Sequence, residues 1–238
     1  MNKAFTSISI LASLVMLISS CNKNKDGLGQ LSVQMNYHVD GKSLVYSSMN
    51  YQCEAGYNYS VTRLEYYLSN FEFTDAQGNT YKSSEIFYIN AAKEETNTLS
   101  FKDIPSGHYK SIRFLIGLDT IHNKTDFLEP TVDNANMAWP DMMGGGYHFM
   151  KFEGMFKANG TNNGYAMHLG RNGNTVPIYL EKPFSILKDN ESILVLNMNL
   201  NEWFRNPEVY DFLIDDAYSM GNMNAMMKLC RNGKDVFN

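Results

Sequence analysis

The chain has 238 residues, of which 44% are hydrophobic and 19% charged, and its formal net charge at pH 7 is −5. This acidic balance argues against a nucleic-acid partner, which needs a basic surface. No proline- or serine-rich linker follows residue 30, and the length suits one large domain, so we predict a single domain over 31–238.

Residues 1–20 have the pattern of an export signal. Lys3 gives a basic start, and the apolar run that follows is too short to span a bilayer as a stable helix. The run ends on LISSC, which resembles a lipoprotein box, where the cysteine is lipidated and the residues before it are removed. We therefore predict a signal peptide over 1–20, a lipid on Cys21, a polar tether over 21–30 and an exported protein anchored to a cell membrane, periplasmic or surface-facing. The alternative is an ordinary signal peptide with an incidental cysteine.

Two further cysteines, Cys53 and Cys230, follow the predicted lipidation site. An even number in an oxidising compartment suggests a Cys53–Cys230 disulfide, which would tie the C-terminal end to the first third of the chain. Buried free thiols are the alternative.

The sequence from residue 31 onward has the pattern of short strands. Leu31, Val33, Met35 and Tyr37 alternate with polar residues up to a turn at Asp40-Gly41, which places His38 on the polar face. Similar aromatic and β-branched runs, separated by Gly, Pro or Asn-Asp, continue to about residue 200. We predict a mainly β fold, an antiparallel β-sandwich with a short C-terminal helical segment.

Helix is predicted only near the C-terminus. Asn206-Pro207 is a plausible cap and first-turn proline for a helix over EVYDFLID. Met223, Met226, Met227 and Cys230 then recur at helical spacing before Gly233, which predicts a short terminal helix with these four side chains on its buried stripe.

The segment NMAWPDMMGGGYHFMKFEG, residues 136–154, combines Trp139, His148, several methionines and a glycine triplet. The triplet is not a phosphate loop, because a strand-like sequence follows it where a phosphate loop would open a helix. No hydrolase or metalloprotease motif occurs, so we expect no enzyme activity. Thioether and imidazole side chains together favour copper over hard cations, although methionine also fills irregular cores.

Five segments carry a family resemblance: YHVDGKSL, SVTRLEYYLSNFEFTDAQG, NMAWPDMMGGGYHFMKFEG, YAMHLG and NMNLNEWFRNPEVYDF. In this order and approximate spacing they resemble the MbnP-like copper-binding proteins, over nearly all of 31–238. The resemblance implies an exported, mainly β-sandwich protein that binds one copper ion through histidines. It also implies a di-haem partner of the cytochrome c peroxidase type, which can oxidise a tryptophan of the copper protein to kynurenine.

Carried onto this chain, the resemblance implies His38 and His168 as copper ligands and Trp139 as the residue that is oxidised and then contributes to the site. His148 is a further local candidate, and Met137 is an available soft donor. The expected function is extracytoplasmic copper binding for copper acquisition or buffering. The alternative is a non-catalytic surface lipoprotein of the same fold that has lost copper and binds a polymer or protein partner.

Overall fold

The computed structural model describes residues 27–238, so the predicted signal peptide and Cys21 lie outside the described residues. The predicted tether is too long at its C-terminal end, because the first strand already begins at Leu28. Leu28 pairs with Pro105, and Gln30 pairs with Glu191, which incorporates residues 28–30 into a sheet. The folded domain therefore includes residues 28–30, which the prediction assigned to the tether.

Thirteen strands and two α-helices form within the described residues. The strands are β1 Leu28–Val39, β2 Lys42–Ser43, β3 Tyr51–Gln52, β4 Asn58–Asp75, β5 Thr80–Ser83, β6 Phe87–Asn90, β7 Thr98–Pro105, β8 Gly107–Ile116, β9 His148–Ala158, β10 Thr161–Gly170, β11 Val176–Leu180, β12 Phe184–Ile186 and β13 Glu191–Asn199. The helices are α1 Val132–Asn136 and α2 Met223–Asn232, with 3₁₀ turns at Glu94–Thr96, Asp141–Met143, Leu200–Phe204, Ser219–Gly221 and Gly233–Asp235. Within residues 27–238, none of the helices has the length and apolar character needed to cross a bilayer.

The strands form two sheets, which confirms the mainly β, sandwich-like prediction. The small sheet has the order β13-β1-β2, with β7 also on β1, and the large sheet has the order β10-β9-β4-β8-β11, with β3, β5 and β6 on β4 and β12 on β8. One pair differs from the antiparallel prediction: β1 and β13 run parallel, from Gln30 opposite Glu191 to His38 opposite Asn199. A parallel pair needs a crossover connection, and here the whole large sheet lies between the two strands in sequence.

Aromatic rings fill the space between the two sheets. The ring of Phe101 on β7 lies 4.9 Å from that of Phe71 and 5.1 Å from that of Phe73, both on β4. The hydroxyl of Tyr37 on β1 lies 2.9 Å from the hydroxyl of Tyr66 on β4, so this face of the large sheet faces the small one. Burying each such ring stabilises the fold by about 1.5–3 kcal/mol. Because this gain favours burial of the apolar face of each strand, the alternation in the sequence predicts which residues form the core.

The predicted Cys53–Cys230 disulfide is wrong, because both cysteines are free thiols. Cys53 lies buried in a tight turn after β3, where its backbone N–H donates to the carbonyl of Tyr57. Cys230 lies on α2, whose closest packing is against β10 and neighbouring turns, and its thiol donates to the carbonyl of Asn174 at 3.2 Å. Burial raises the pKa of both thiols, that of Cys230 to about 12, which makes them poor nucleophiles.

The helix predicted after Pro207 does not form. The N–H of Glu208 donates to the side chain of Asn232, and the N–H of Tyr210 donates to the carbonyl of Phe204. The carboxylate of Asp211 accepts from the N–H of Leu213 at 2.8 Å and closes a single turn. These backbone groups are bonded to partners outside the segment or to a side chain, so they are not available for a helical ladder.

The terminal helix α2 is confirmed, but its buried stripe is not the predicted one. Ala225, Met226 and Leu229 are buried, whereas Met223 and Met227 are 38% and 47% exposed. Asn222 caps the helix by accepting from the N–H of Ala225, which fixes where the helix begins.

Candidate metal centre

The connection between β8 and β9, residues 117–147, closes over the outer face of the large sheet, the face turned away from the small sheet. The hydroxyl of Tyr67 on β4 donates to the side chain of Asn134 in α1 at 2.6 Å. The ammonium of Lys151 on β9 donates to the carbonyl of Asn136, where α1 ends. These bonds fix the next residues of the loop, which carry Trp139, directly over β9 and β10.

Trp139 is buried, with 2% of its surface exposed. Its N–H donates to the carbonyl of Gly146 at 2.8 Å, and its indole Nε1–H donates to the carbonyl of Met143 at 3.3 Å. The indole lies directly on the backbone of Gly170, where a Cβ would come within 2.4 Å of Cε3 of the ring. The glycine at the end of β10 therefore provides the space that the tryptophan occupies.

The glycine triplet leads into the strand β9, as predicted, and its backbone is left-handed. Gly144, Gly145 and Gly146 have φ angles of +110°, +65° and +84°, a run of conformations that side chains with a Cβ rarely adopt. A Cβ on Gly146 would lie 2.3 Å from Oδ1 of Asn123, which accepts from the N–H of Tyr147 at 2.9 Å. The loop thus delivers the chain to His148 in a fixed position.

A β-bulge determines the face on which His148 lies. His168 pairs with Lys151 and Leu169 with Met150, but Gly170 pairs with His148, so Phe149 is an extra residue in β9. Paired residues share a face, so the bulge places His148 on the same outer face as His168. Without it, the period-two alternation of the strand would place His148 on the opposite face from Lys151.

Three rings meet on this outer face. The centroid of the Trp139 ring lies 4.7 Å from that of His148, with the planes at 59°. The centroid of the His148 ring lies 5.0 Å from that of His168, with the planes nearly perpendicular at 88°. We call these three side chains the ring cluster.

The imidazole of His148 is held as a neutral base with one free nitrogen. Its Nδ1 lies 3.2 Å from the carbonyl oxygen of Met137 and 3.1 Å from that of Ala138. Since carbonyl oxygens only accept, Nδ1 carries the proton and Nε2 retains its lone pair. Burial, with the nearby positive charge of Lys151, lowers the pKa of His148 from 6.5 to about 3, so the ring stays unprotonated at neutral pH.

The imidazole of His168 is held from its other nitrogen. Its Nε2 lies 2.8 Å from Oε1 of Glu153, and the hydrogen bond from His168 is the main cause that lowers the pKa of this carboxyl group. Arg63 lies 3.5 Å from the same carboxylate oxygen and 2.7 Å from Glu65. The backbone of His168 is fixed as well, because the hydroxyl of Ser219 accepts from its N–H and donates to its carbonyl oxygen.

Comparison with known proteins identifies the family of this chain. The family model MbnP matches residues 28–224. The chain belongs to the MbnP family. Its structure is similar to that of MbnP from Methylosinus trichosporium, with a TM-score of 0.54 and 15% sequence identity over 77% of this chain and 80% of that chain, a likeness that shows the shared fold. A search of curated proteins gives no significant match.

In this MbnP-family chain, three of the five predicted site residues have side-chain rings that contact one another. Trp139, His148 and His168 form the ring cluster. Met137 is buried, and its carbonyl oxygen accepts from the backbone N–H of His148 at 2.7 Å and from Nδ1 of the same residue. The prediction of His38 as a ligand is not supported. His38 lies on β1 of the small sheet, where its Nδ1 accepts from the N–H of Gly41 at 3.1 Å and stabilises its own hairpin turn.

Within residues 27–238, no group of three or more His, Cys, Asp or Glu side chains has a geometry that could hold a metal ion. The ring cluster therefore offers two imidazole donors and no third ligand of those types. Structural zinc sites are almost always built from four such ligands, whereas imidazole also suits copper. A pair of imidazoles beside an indole therefore fits a copper ion better than a zinc ion.

Sequence reasoning missed the polar residues around the ring cluster, namely Arg63, Glu65, Lys151, Glu153 and Ser219. A signal was present in the strands: Arg63 and Glu65, like Lys151 and Glu153, are charged residues at alternate positions of otherwise apolar runs. Such alternation indicates one polar face on two strands, and those strands are neighbours in the large sheet.

Proposed function

We propose that this protein binds one copper ion at the ring cluster and serves copper acquisition or buffering outside the cytoplasm. The observation that carries the proposal is the perpendicular pair of imidazoles, His148 and His168, with their rings 5.0 Å apart. Each ring has one nitrogen bonded to the protein and the other free, which is the usual state of a metal-binding histidine. The chain itself catalyses no reaction in this proposal.

The free nitrogens would hold the metal, Nε2 of His148 and Nδ1 of His168. The lowered pKa of His148 means that no proton has to leave this ring at neutral pH when copper binds. The indole of Trp139 would cover one side and exclude water. Met137 would orient His148 through its carbonyl oxygen.

A titration with Cu(I) against a competing chelator tests the proposal. We expect the wild-type protein to saturate at about one equivalent of Cu(I). His148→Ala and His168→Ala should each weaken Cu(I) binding by more than about 100-fold, a larger loss than the 10–100-fold that is typical when a residue that only supports a ligand is removed. His38→Ala is the matched control, because His38 is also half-buried but lies on the small sheet, and it should bind as the wild type does.

Wild-type affinity in both ring-cluster variants would refute the site. No tight binding in the wild-type protein would instead favour the alternative function, a surface lipoprotein that binds a polymer or protein partner.

We further propose that Trp139 is oxidised to kynurenine by a di-haem partner of the cytochrome c peroxidase type. The proximity of its ring to His148 supports a role for the product at the copper site, and its burial means that the partner would act by electron transfer and not by direct contact. The conversion is a four-electron oxidation, for which two equivalents of peroxide would be reduced to water at the haems of the partner. The indole would gain two oxygen atoms to give formylkynurenine, and hydrolysis by water would release formic acid, so intact mass should rise by about 4 Da after co-expression with the partner. Trp139→Phe should abolish the increase, whereas Trp203→Phe should retain it. An unmodified mass after co-expression would exclude this step.

A further inference from the structure

Glu153 is the only side chain that the structure shows bonded to the imidazole of His168, among the residues described. It lies on β9, one strand away from His168 on β10, and diagonal to it: Glu153 pairs with Ala166, and His168 pairs with Lys151. The contact is 2.8 Å and joins Nε2 of the ring to Oε1 of the carboxylate. The carboxylate therefore contacts the ring on the nitrogen that is not adjacent to the backbone.

The position of Glu153 is itself determined by the next strand. Arg63 on β4 pairs directly with Glu153 in the sheet, and its guanidinium lies between the carboxylates of Glu153 and Glu65. Asn90 donates to Glu65 at 3.2 Å, which extends the network to β6. Because each member is half-buried or buried and bonded to at least one other, the carboxylate of Glu153 has little freedom to leave His168.

The contact selects one tautomer of His168. A carboxylate accepts hydrogen bonds and donates none, so Nε2 of the neutral ring must carry the proton, and Nδ1 retains the lone pair. His148 has the opposite arrangement, because two carbonyl oxygens hold its proton on Nδ1. The two rings thus present different nitrogens, and this difference is built by residues outside the ring cluster.

We propose that Glu153 is the positioning residue of the copper site: it fixes the Nε2–H tautomer of His168, makes Nδ1 the copper-binding nitrogen and places a negative charge next to that ligand. The inference rests on the proposed function for its copper part, whereas the tautomer is a property of the metal-free protein. A carboxylate hydrogen-bonded to a metal-binding histidine orients the ring and increases its basicity, and loss of such a partner typically costs 10–100-fold in metal affinity.

Nitrogen-15 NMR of the metal-free protein tests the tautomer directly, because protonated and bare ring nitrogens have well-separated chemical shifts. We expect Nε2 of His168 protonated and Nδ1 bare in the wild type and in Glu153→Gln, whose amide oxygen can still accept. In Glu153→Leu, which removes the acceptor, the two tautomers should both be populated. Loading with Cu(I), which is diamagnetic, should then shift the Nδ1 signal of His168 and leave its Nε2 protonated.

Copper affinity separates the charge from the tautomer. Glu153→Gln keeps the acceptor and loses the charge, so we expect Cu(I) binding about 10-fold weaker, with a further loss in Glu153→Leu. Glu72→Gln is the matched control, since Glu72 also lies on the large sheet in an ion pair, with Lys82, and its substitution removes the same charge. It should leave both the tautomer and the affinity unchanged.

Three results would overturn the inference: an Nδ1–H tautomer in the metal-free wild type, an unchanged tautomer in Glu153→Leu, or a copper-induced shift at Nε2 with none at Nδ1. If Glu153→Leu does not fold, the wild-type and Glu153→Gln spectra still decide the tautomer. Failure of the proposed function is distinguishable, because it would appear as absent copper binding in a wild-type protein whose His168 already has the Nε2–H tautomer.

Discussion

The low pKa of His148 makes the folded protein sensitive to mild acid. The folded ring takes up a proton only near pH 3, whereas the same ring in the unfolded chain does so near its ordinary pKa of 6.5. Between these values the unfolded state binds more protons, so the free energy of unfolding falls as the pH falls, by about 1.4 kcal/mol per unit. From pH 6.5 to pH 5 we expect this ring alone to account for a loss of about 2 kcal/mol.

Urea unfolding of the metal-free protein at the two pH values measures this loss, with His148→Gln as the variant that cannot titrate. The difference in stability between pH 6.5 and pH 5 should be smaller in His148→Gln by about 2 kcal/mol, and His108→Gln, which removes an exposed imidazole, should behave as the wild type does. An equal acid sensitivity of wild type and His148→Gln would show that the ring is not kept neutral by burial. Glu153, whose pKa is also lowered, acts with the same sign but mainly below its ordinary 4.5, outside the chosen range.

At the scale of single elements, the strands were predictable because their side chains alternate. The alternation of Leu31, Val33 and Met35 places all three in the core of β1, and the turn at Asp40-Gly41 forms with both residues at positive φ, as the sequence indicates. The same alternation places His38 on a polar face, but it contains no information about which sheet the strand joins. Strand order depends on contacts between residues far apart in sequence, so the sequence does not show that His38 lies on the small sheet and the ring cluster on the large one.

The position of His148 could not be predicted for a different reason. Periodicity assigns faces by counting residues, and a single bulged residue, Phe149, reverses the count. The ring cluster depends on that reversal and on Gly170, whose missing side chain is what allows Trp139 to approach β10. The resemblance to the MbnP family implied that His168 and Trp139 belong to one site, and the structure places both rings beside His148. The alternating charges around them gain a role only once the strand pairing is known.

For the molecule as a whole, the charge limits how it can be held at a membrane. Cleavage before Cys21 would remove Lys3 and change the formal charge from −5 to −6, so the folded body would be repelled by an anionic bilayer surface. We propose, from the LISSC sequence that ends on Cys21, that lipid at this cysteine attaches the protein to the membrane, six residues before the first described residue.

Two measurements on membranes from the producing cells test this attachment. Because acyl chains and not charge would hold the protein, high salt should leave it in the membrane fraction and detergent should release it, and a radiolabelled fatty acid should be incorporated. Cys21→Ala should lose the label, whereas Cys230→Ser, which removes a half-buried free cysteine from the folded domain, should retain it. Release of the wild-type protein by salt alone would show that a protein partner holds it, since its own negative charge opposes adsorption to the bilayer. Label that persists in Cys21→Ala would show that the lipid is attached at another residue.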